Sequence, residues 1–155
     1  MSKLKDEVSL LQSIPMFSNV PQNKLKLLAF ASDRMTFDKG QTLFLQGDPA
    51  DAAYVIIEGK ADVLVNTEEG EMSVATLERN AFVGDMAVLS DIARTATVRA
   101  TERLEVLRIK KEHMMEMVLT TPSLTLAVLQ TLVDRLAKTT KDLSEARLEL
   151  KKKSA

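Results

Sequence analysis

An antiparallel β-roll of the jelly-roll or double-stranded β-helix kind, mainly β with helices at both ends, is the fold that this 155-residue sequence predicts. Three observations carry the prediction. The five glycines, Gly40, Gly47, Gly59, Gly70 and Gly84, all lie in the central part of the chain, 7 to 14 residues apart. Between them run short segments of β character at 41–46, 53–58, 61–66 and 72–77. In Ala61, Val63 and Val65, and again in Ala96, Val98 and Ala100, apolar residues alternate with polar ones, the period of a half-buried strand. Many short strands punctuated by turn residues give a sandwich, barrel or roll rather than a parallel sheet with crossover helices.

The flanks lack glycine and follow a different period. Leu4, Val8 and Leu11 recur at helical spacing. A second helix is expected to start at Pro21 and to carry Leu25, Leu28 and Ala29 on one face. Near the other end, Thr121 before Pro122 is a capping residue ahead of a proline at the first helical position. No glycine or proline follows, so a helix running to about Lys152 would span about 45 Å, more than so small a domain can cover. Leu124, Val128 and Leu132 suit packing on the roll. Leu129, Leu132, Leu136, Leu143, Ala146 and Leu150 step by three and four, with Thr139 in the gap, which is an a/d heptad and implies a partner helix in a parallel homodimer. Lys151 to Lys153 read as a solvated end that complements the helix dipole. The expected organisation is one domain over 1–155, with N-terminal helices in 1–33, the roll in 34–109 and C-terminal helices in 110–155.

Composition excludes several classes of function. With 21 Lys plus Arg against 22 Asp plus Glu, no global field draws the chain to nucleic acid or an anionic membrane, so any anion site is local. There is no cysteine, hence no disulfide, thiolate catalyst or thiolate metal site, in keeping with a reducing compartment. No apolar run approaches a membrane span, and residues 1–12 carry charges where a signal peptide would be apolar, so a soluble cytoplasmic protein is expected. His113 is the only histidine and reads as solvated on a helix; no nucleophile, base and acid set accompanies it, so no catalytic or metal site is expected. The eight methionines, Met114, Met115 and Met117 among them, read as core filler.

The segment 82–97 carries the chemistry. A short helix-compatible run interrupts the strand pattern there, and an arginine-containing strand follows. Gly84 permits positive φ or close backbone approach, the N–H groups after it would open a one-turn helix, and their partial positive charge favours a phosphate. Arg94 offers a fork of donors that fits two phosphate oxygens. A phosphate would repel Asp85, which is better suited to accept from a hydroxyl. Phosphate beside sugar hydroxyl points to a nucleotide. The same residues also fit an ordinary turn followed by a solvated arginine.

This segment resembles the phosphate-binding cassette of the cyclic-nucleotide-binding domain family, in which an arginine followed by a small residue and alanine comes ten positions after the glycine. Gly84 and Arg94 keep that spacing. Further landmarks occur in order: Ile14-Pro15-Met16-Phe17, Gly40-Gln41, Phe44-Leu45-Gln46-Gly47-Asp48, and Tyr54-Val55-Ile56-Ile57-Glu58-Gly59. The match covers roughly residues 10–141 and is most similar to the bacterial catabolite activator type.

The resemblance implies that Gly84 and Ala87 present backbone N–H groups to the phosphate, that Arg94 pairs with it and that Thr95 adds a hydroxyl. It sets Asp85 where the family has a glutamate that accepts from the ribose 2′-OH, one methylene shorter here. Thr139 and Thr140 match a pair that reaches the adenine, one of the two from the neighbouring subunit. The expected ligand is cyclic AMP, with cyclic GMP second because Thr95 also suits a guanine contact; no other cofactor is implied. With 15 residues after Thr140, the expectation is helix and not a DNA-reading module. The expected protein is a sensor that passes ligation through its C-terminal helix to an effector protein; the alternative is a dimerisation module with a vestigial pocket.

Overall fold

The structure, a computed structural model, describes residues 2–154. Residues 1 and 155, the outer ends of the expected helical ranges 1–33 and 110–155, lie outside the described residues. Two N-terminal helices, α1 (Ser2–Gln12) and α2 (Gln22–Ala31), are joined through a 3-10 turn at Pro15–Phe17. Eight strands follow: β1 (Asp33–Phe37), β2 (Thr42–Phe44), β3 (Ala52–Glu58), β4 (Ala61–Thr67), β5 (Gly70–Leu77), β6 (Phe82–Val83), β7 (Thr97–Ala100) and β8 (Leu104–Lys110). The short helix α3 (Asp85–Ser90) separates β6 from β7, and α4 (Lys111–Thr120) and α5 (Pro122–Ser154) close the described chain. All pairings are antiparallel, in two four-stranded sheets ordered β1-β8-β3-β6 and β2-β7-β4-β5. The roll expected from the glycine spacing is therefore present.

Sheet alternation divides the core in two. On β3, Ala52, Tyr54 and Ile56 point into the roll with Val98, Leu104 and Val106, whereas Ala53 and Val55 point outward with Leu107 and Ile109 of β8. The helices cover that outer face with Leu11, Phe17, Leu25, Leu28, Met114 and Leu124. Both faces of β3 are thus dry, which is why residues 52–58 read as a nearly continuous apolar run. Each large aliphatic side chain buried there contributes about 1.5–3 kcal/mol. Ala87 and Val88 of α3 belong to the helix-side cluster, so the cassette is rooted in the same packing as α4 and α5.

Two local expectations change. Thr121 precedes α5 as expected, but its hydroxyl faces Met117 Sδ at 3.5 Å and accepts from Lys24 Nζ at 3.1 Å instead of capping the helix. Its carbonyl accepts from the N–H groups of Leu124 and Thr125. The helix packs on the body through Leu124 and Val128, which are buried, and Leu132, which is partly so, as expected, and every residue from Val133 to Ser154 is exposed. Met114 and Met117 fill core as expected, whereas Met72 stands exposed on β5. Among the described residues no single helix is long and apolar enough to cross a membrane, and α4 and α5 meet at a bend of 107°.

Candidate functional site

Gly84 ends β6 with φ +83° and serves as the N-cap of α3. No side chain caps that end, and the first intrahelical bond is Val88 N–H to Gly84 O at 3.4 Å, so the N–H groups of Asp85, Met86 and Ala87 form the open first turn. A Cβ on Gly84 would stand 2.5 Å from Arg94 Nη1. The glycine is required twice, by its left-handed backbone and by the arginine beside it.

The strand expected at Arg94 is not formed there. Arg94 sits in the loop between α3 and β7, because its backbone is held by the turn at Gly47 and Asp48: Gly47 N–H donates to Arg94 O and Arg94 N–H to Asp48 O, both at 2.8 Å. The side chain runs inward and is almost wholly buried, the residue being 3% exposed. Nη1 donates to Gly84 O at 3.0 Å and Nη2 to Ala52 O, while Asp51 lies 3.6 Å from Nη2. The guanidinium carbon stands 4.0 Å from the centre of the Phe44 ring. Nε is buried without a partner among the protein atoms. Burial pulls the pKa of the guanidinium below its ordinary value, opposed by Tyr54, Asp51 and Asp48. A buried cation with an unspent donor, next to open helix N–H groups, has the chemistry to receive an anion.

Asp85 is 2% exposed, and its partner is one the sequence reading missed. Arg135 of α5 grips it with both terminal nitrogens, Nη2 to Oδ2 at 3.2 Å and Nη1 to Oδ1 at 3.4 Å. The signal was available in the sequence, since Arg135 precedes Thr139 by one helical turn and shares its face. A cavity of about 250 Å³ joins these parts, walled by Phe44 and Val63 of the roll, Gly84 and Ala87 of the cassette, Arg94 and Arg135. Asp85 and the exposed Thr95 also line it. Thr139 and Thr140 are exposed further along α5 and are not part of its wall in the single chain. A larger hollow of about 620 Å³ lies between α1 and α2, but its lysines, Lys5 and Lys26, are exposed and it contains no buried charged group, so chemistry and not volume selects the smaller one.

Residues 34–121 match the family described as the cyclic nucleotide-binding domain. The chain belongs to that family. Among curated relatives, a cAMP-dependent protein kinase regulatory subunit from Mucor circinelloides f. lusitanicus is 37% identical over 99 residues, 64% of this chain and 22% of the relative. One from Aspergillus niger is 29% identical over 102 residues, 66% of this chain and 24% of the relative. This member of the family thus spans about a quarter of the length of those relatives. Among solved structures, the sensor domain of the transcriptional regulator DNR from Pseudomonas aeruginosa superposes with a TM-score of 0.82 at 26% identity, covering 91% of this chain and 95% of that one. Thermus thermophilus catabolite activator protein shares the fold, with a TM-score of 0.76 at 24% identity over 84% of this chain and 62% of its own.

Proposed function

We propose that this cyclic-nucleotide-binding domain is a regulatory sensor for cyclic AMP, with cyclic GMP as the second ligand to be tried. The observation that carries the reading is the cavity in which the buried Arg94 meets the open turn at Gly84. In this reading the ligand's phosphate takes the unspent Nε–H of Arg94, the N–H groups around Gly84 and Ala87, and the Thr95 hydroxyl. The ribose hydroxyl goes to Asp85. A singly charged phosphodiester suits the site, since Asp51, 3.6 Å from Arg94, is held more closely by Arg108 at 3.0 Å and leaves the charge of the buried guanidinium only partly compensated. The role is recognition and not catalysis, and a cytoplasmic location belongs to the same proposal.

A homodimer through α5 completes it. Leu129, Leu136, Leu143 and Leu150 recur every seven residues and are all exposed, a stripe that a second copy would cover. In that heptad Asp142 takes a g position and Arg147 the e position five residues on, an opposite-charge pair that favours two parallel, in-register helices. The base would then rest against Thr139 and Thr140, one of them from the partner. Ligation would alter the Asp85–Arg135 contact and so the course of α5, which an effector protein reads.

The test is calorimetry with cyclic AMP and cyclic GMP, with Arg94→Ala as control and light scattering for mass. Micromolar binding lost in the variant is expected; absence of heat from the unaltered chain with both nucleotides would defeat the sensor reading. A second reading, a dimerisation module with a vestigial pocket, is favoured by one observation. The chain itself already engages Asp85 through Arg135 and both terminal nitrogens of Arg94.

A further inference from the structure

Arg94 is held by two different kinds of contact. The hydrogen bonds from Nη1 to Gly84 O and from Nη2 to Ala52 O pin the outer edge of the guanidinium. Two anchored atoms define an axis, and tilting of the plane about it is resisted only by the stem through Cδ and by whatever packs the face. Nε lies off that axis, so rocking displaces it most, and Nε is the buried donor left without a partner. The face is packed by Phe44, whose ring centre is 4.0 Å from the guanidinium carbon. Phe44 is itself fixed, because β2 is paired with β7 at Phe44 and Val98 and the ring lies against Tyr54 with centroids 5.9 Å apart. The ring face carries negative quadrupole, so it is one of the few apolar surfaces that favours a desolvated cation.

We propose that Phe44 is a positioning residue for ligand recognition: its ring, backed by Tyr54, stops the guanidinium of Arg94 from rocking and so sets the direction in which Nε–H meets the ligand's phosphate. This rests on the reading of Arg94 as the phosphate ligand, and the test separates the two. In the ligand-free protein, the Arg94 Nε–H resonance is identified by its loss in Arg94→Lys. Phe44→Leu is expected to speed the exchange of that N–H with water and Phe44→Tyr to restore it, a change of shift alone being accounted for by the lost ring current; an exchange rate unchanged in Phe44→Leu overturns the inference whatever the protein binds.

Calorimetry with cyclic AMP supplies the second arm. Phe44→Leu is expected to bind about thirtyfold more weakly, the size of a desolvated cation–π contact, and Phe44→Tyr within about twofold of the unaltered chain. In an Arg94→Lys background, Phe44→Leu should add less than about twofold, because the planar fork it orients is gone. An equal loss in both backgrounds would make Phe44 a packing residue only and overturn the inference. Failure of the unaltered chain to bind either nucleotide would sink the sensor reading alone, and the resonance arm would still decide whether Phe44 orients Arg94.

Discussion

Arg135 and Asp85 stand 50 positions apart in the chain, yet their four terminal atoms meet two by two at 3.2 and 3.4 Å, so the long helix holds the cassette by its one buried carboxylate. Arg135→Ala leaves Asp85 buried and uncompensated. Because the arginine side chain is 44% exposed, water enters the gap, and the expected loss is about 1–2 kcal/mol, well short of that for a fully buried pair. For a domain of this size a Tm lower by roughly 3–6 °C is expected in a thermal melt. A melt that did not move would mean that the contact contributes nothing to the fold.

Gly84→Ala tests the turn. It meets a steric penalty against Arg94 Nη1, 2.5 Å from the new Cβ, and a conformational penalty from φ +83°. The conformational part is about 1 kcal/mol and persists in any background. Introduced into Arg94→Ala, Gly84→Ala should therefore cost less than it does alone, by about 1 kcal/mol or more in denaturant unfolding. Equal costs in the two backgrounds would show that the arginine gives way freely.

Lys111 begins α4, and its ammonium pairs with Asp91 at the end of the cassette helix. The hydrogen bond and charge of Lys111 hold the Asp91 carboxyl below its ordinary pKa. A carboxylate whose pKa is depressed by folding adds stability that is complete above its unfolded value and disappears as the pH falls through its folded value. Carboxyl chemical shifts followed through acid should place the Asp91 midpoint below that of an unpaired aspartate, and Lys111→Gln should return it to the ordinary range. An unchanged midpoint in the variant would dissociate the cassette end from α4.

The proposed dimer has its own variant. Leu143 is exposed on the free part of α5, in the leucine stripe and away from the roll. Leu143→Arg places a like charge at the same height on both helices. Light scattering should register half the mass of the unaltered chain, with the roll's own strand signal in circular dichroism intact. A dimer that survives would locate the interface elsewhere.

Much of this was legible before any coordinates. The glycine spacing and the two-residue alternation between glycines point to the roll, and the spacing of Gly84 and Arg94 points to the two residues that meet in the cavity. Contacts across long sequence separations were hidden. Phe44 ends strand β2 and Arg94 lies in the loop before β7, and the two come together because β2 pairs with β7, a register that alternation alone does not specify. Arg135 is harder to read, because a charged residue on an exposed helix is ordinarily solvated and its one cue, a place one helical turn before Thr139, does not name Asp85 as its partner. Arg94 was expected in a strand because the alternation of Ala96, Val98 and Ala100 was extended backward, whereas two backbone bonds to the Gly47–Asp48 turn hold it outside the sheet.

The bend between α4 and α5 has a mechanical meaning. The first three turns of α5 are clamped to the body, and residues 133–154, exposed and touching the cassette through Arg135, extend for about 33 Å. Such an element is a lever with a short loaded arm and a long idle one: a tilt of about 10° at the clamp would sweep the far end by roughly 6 Å. In the proposed sensor Arg135 would act close to the fulcrum, where a displacement the size of one hydrogen bond would move the tip.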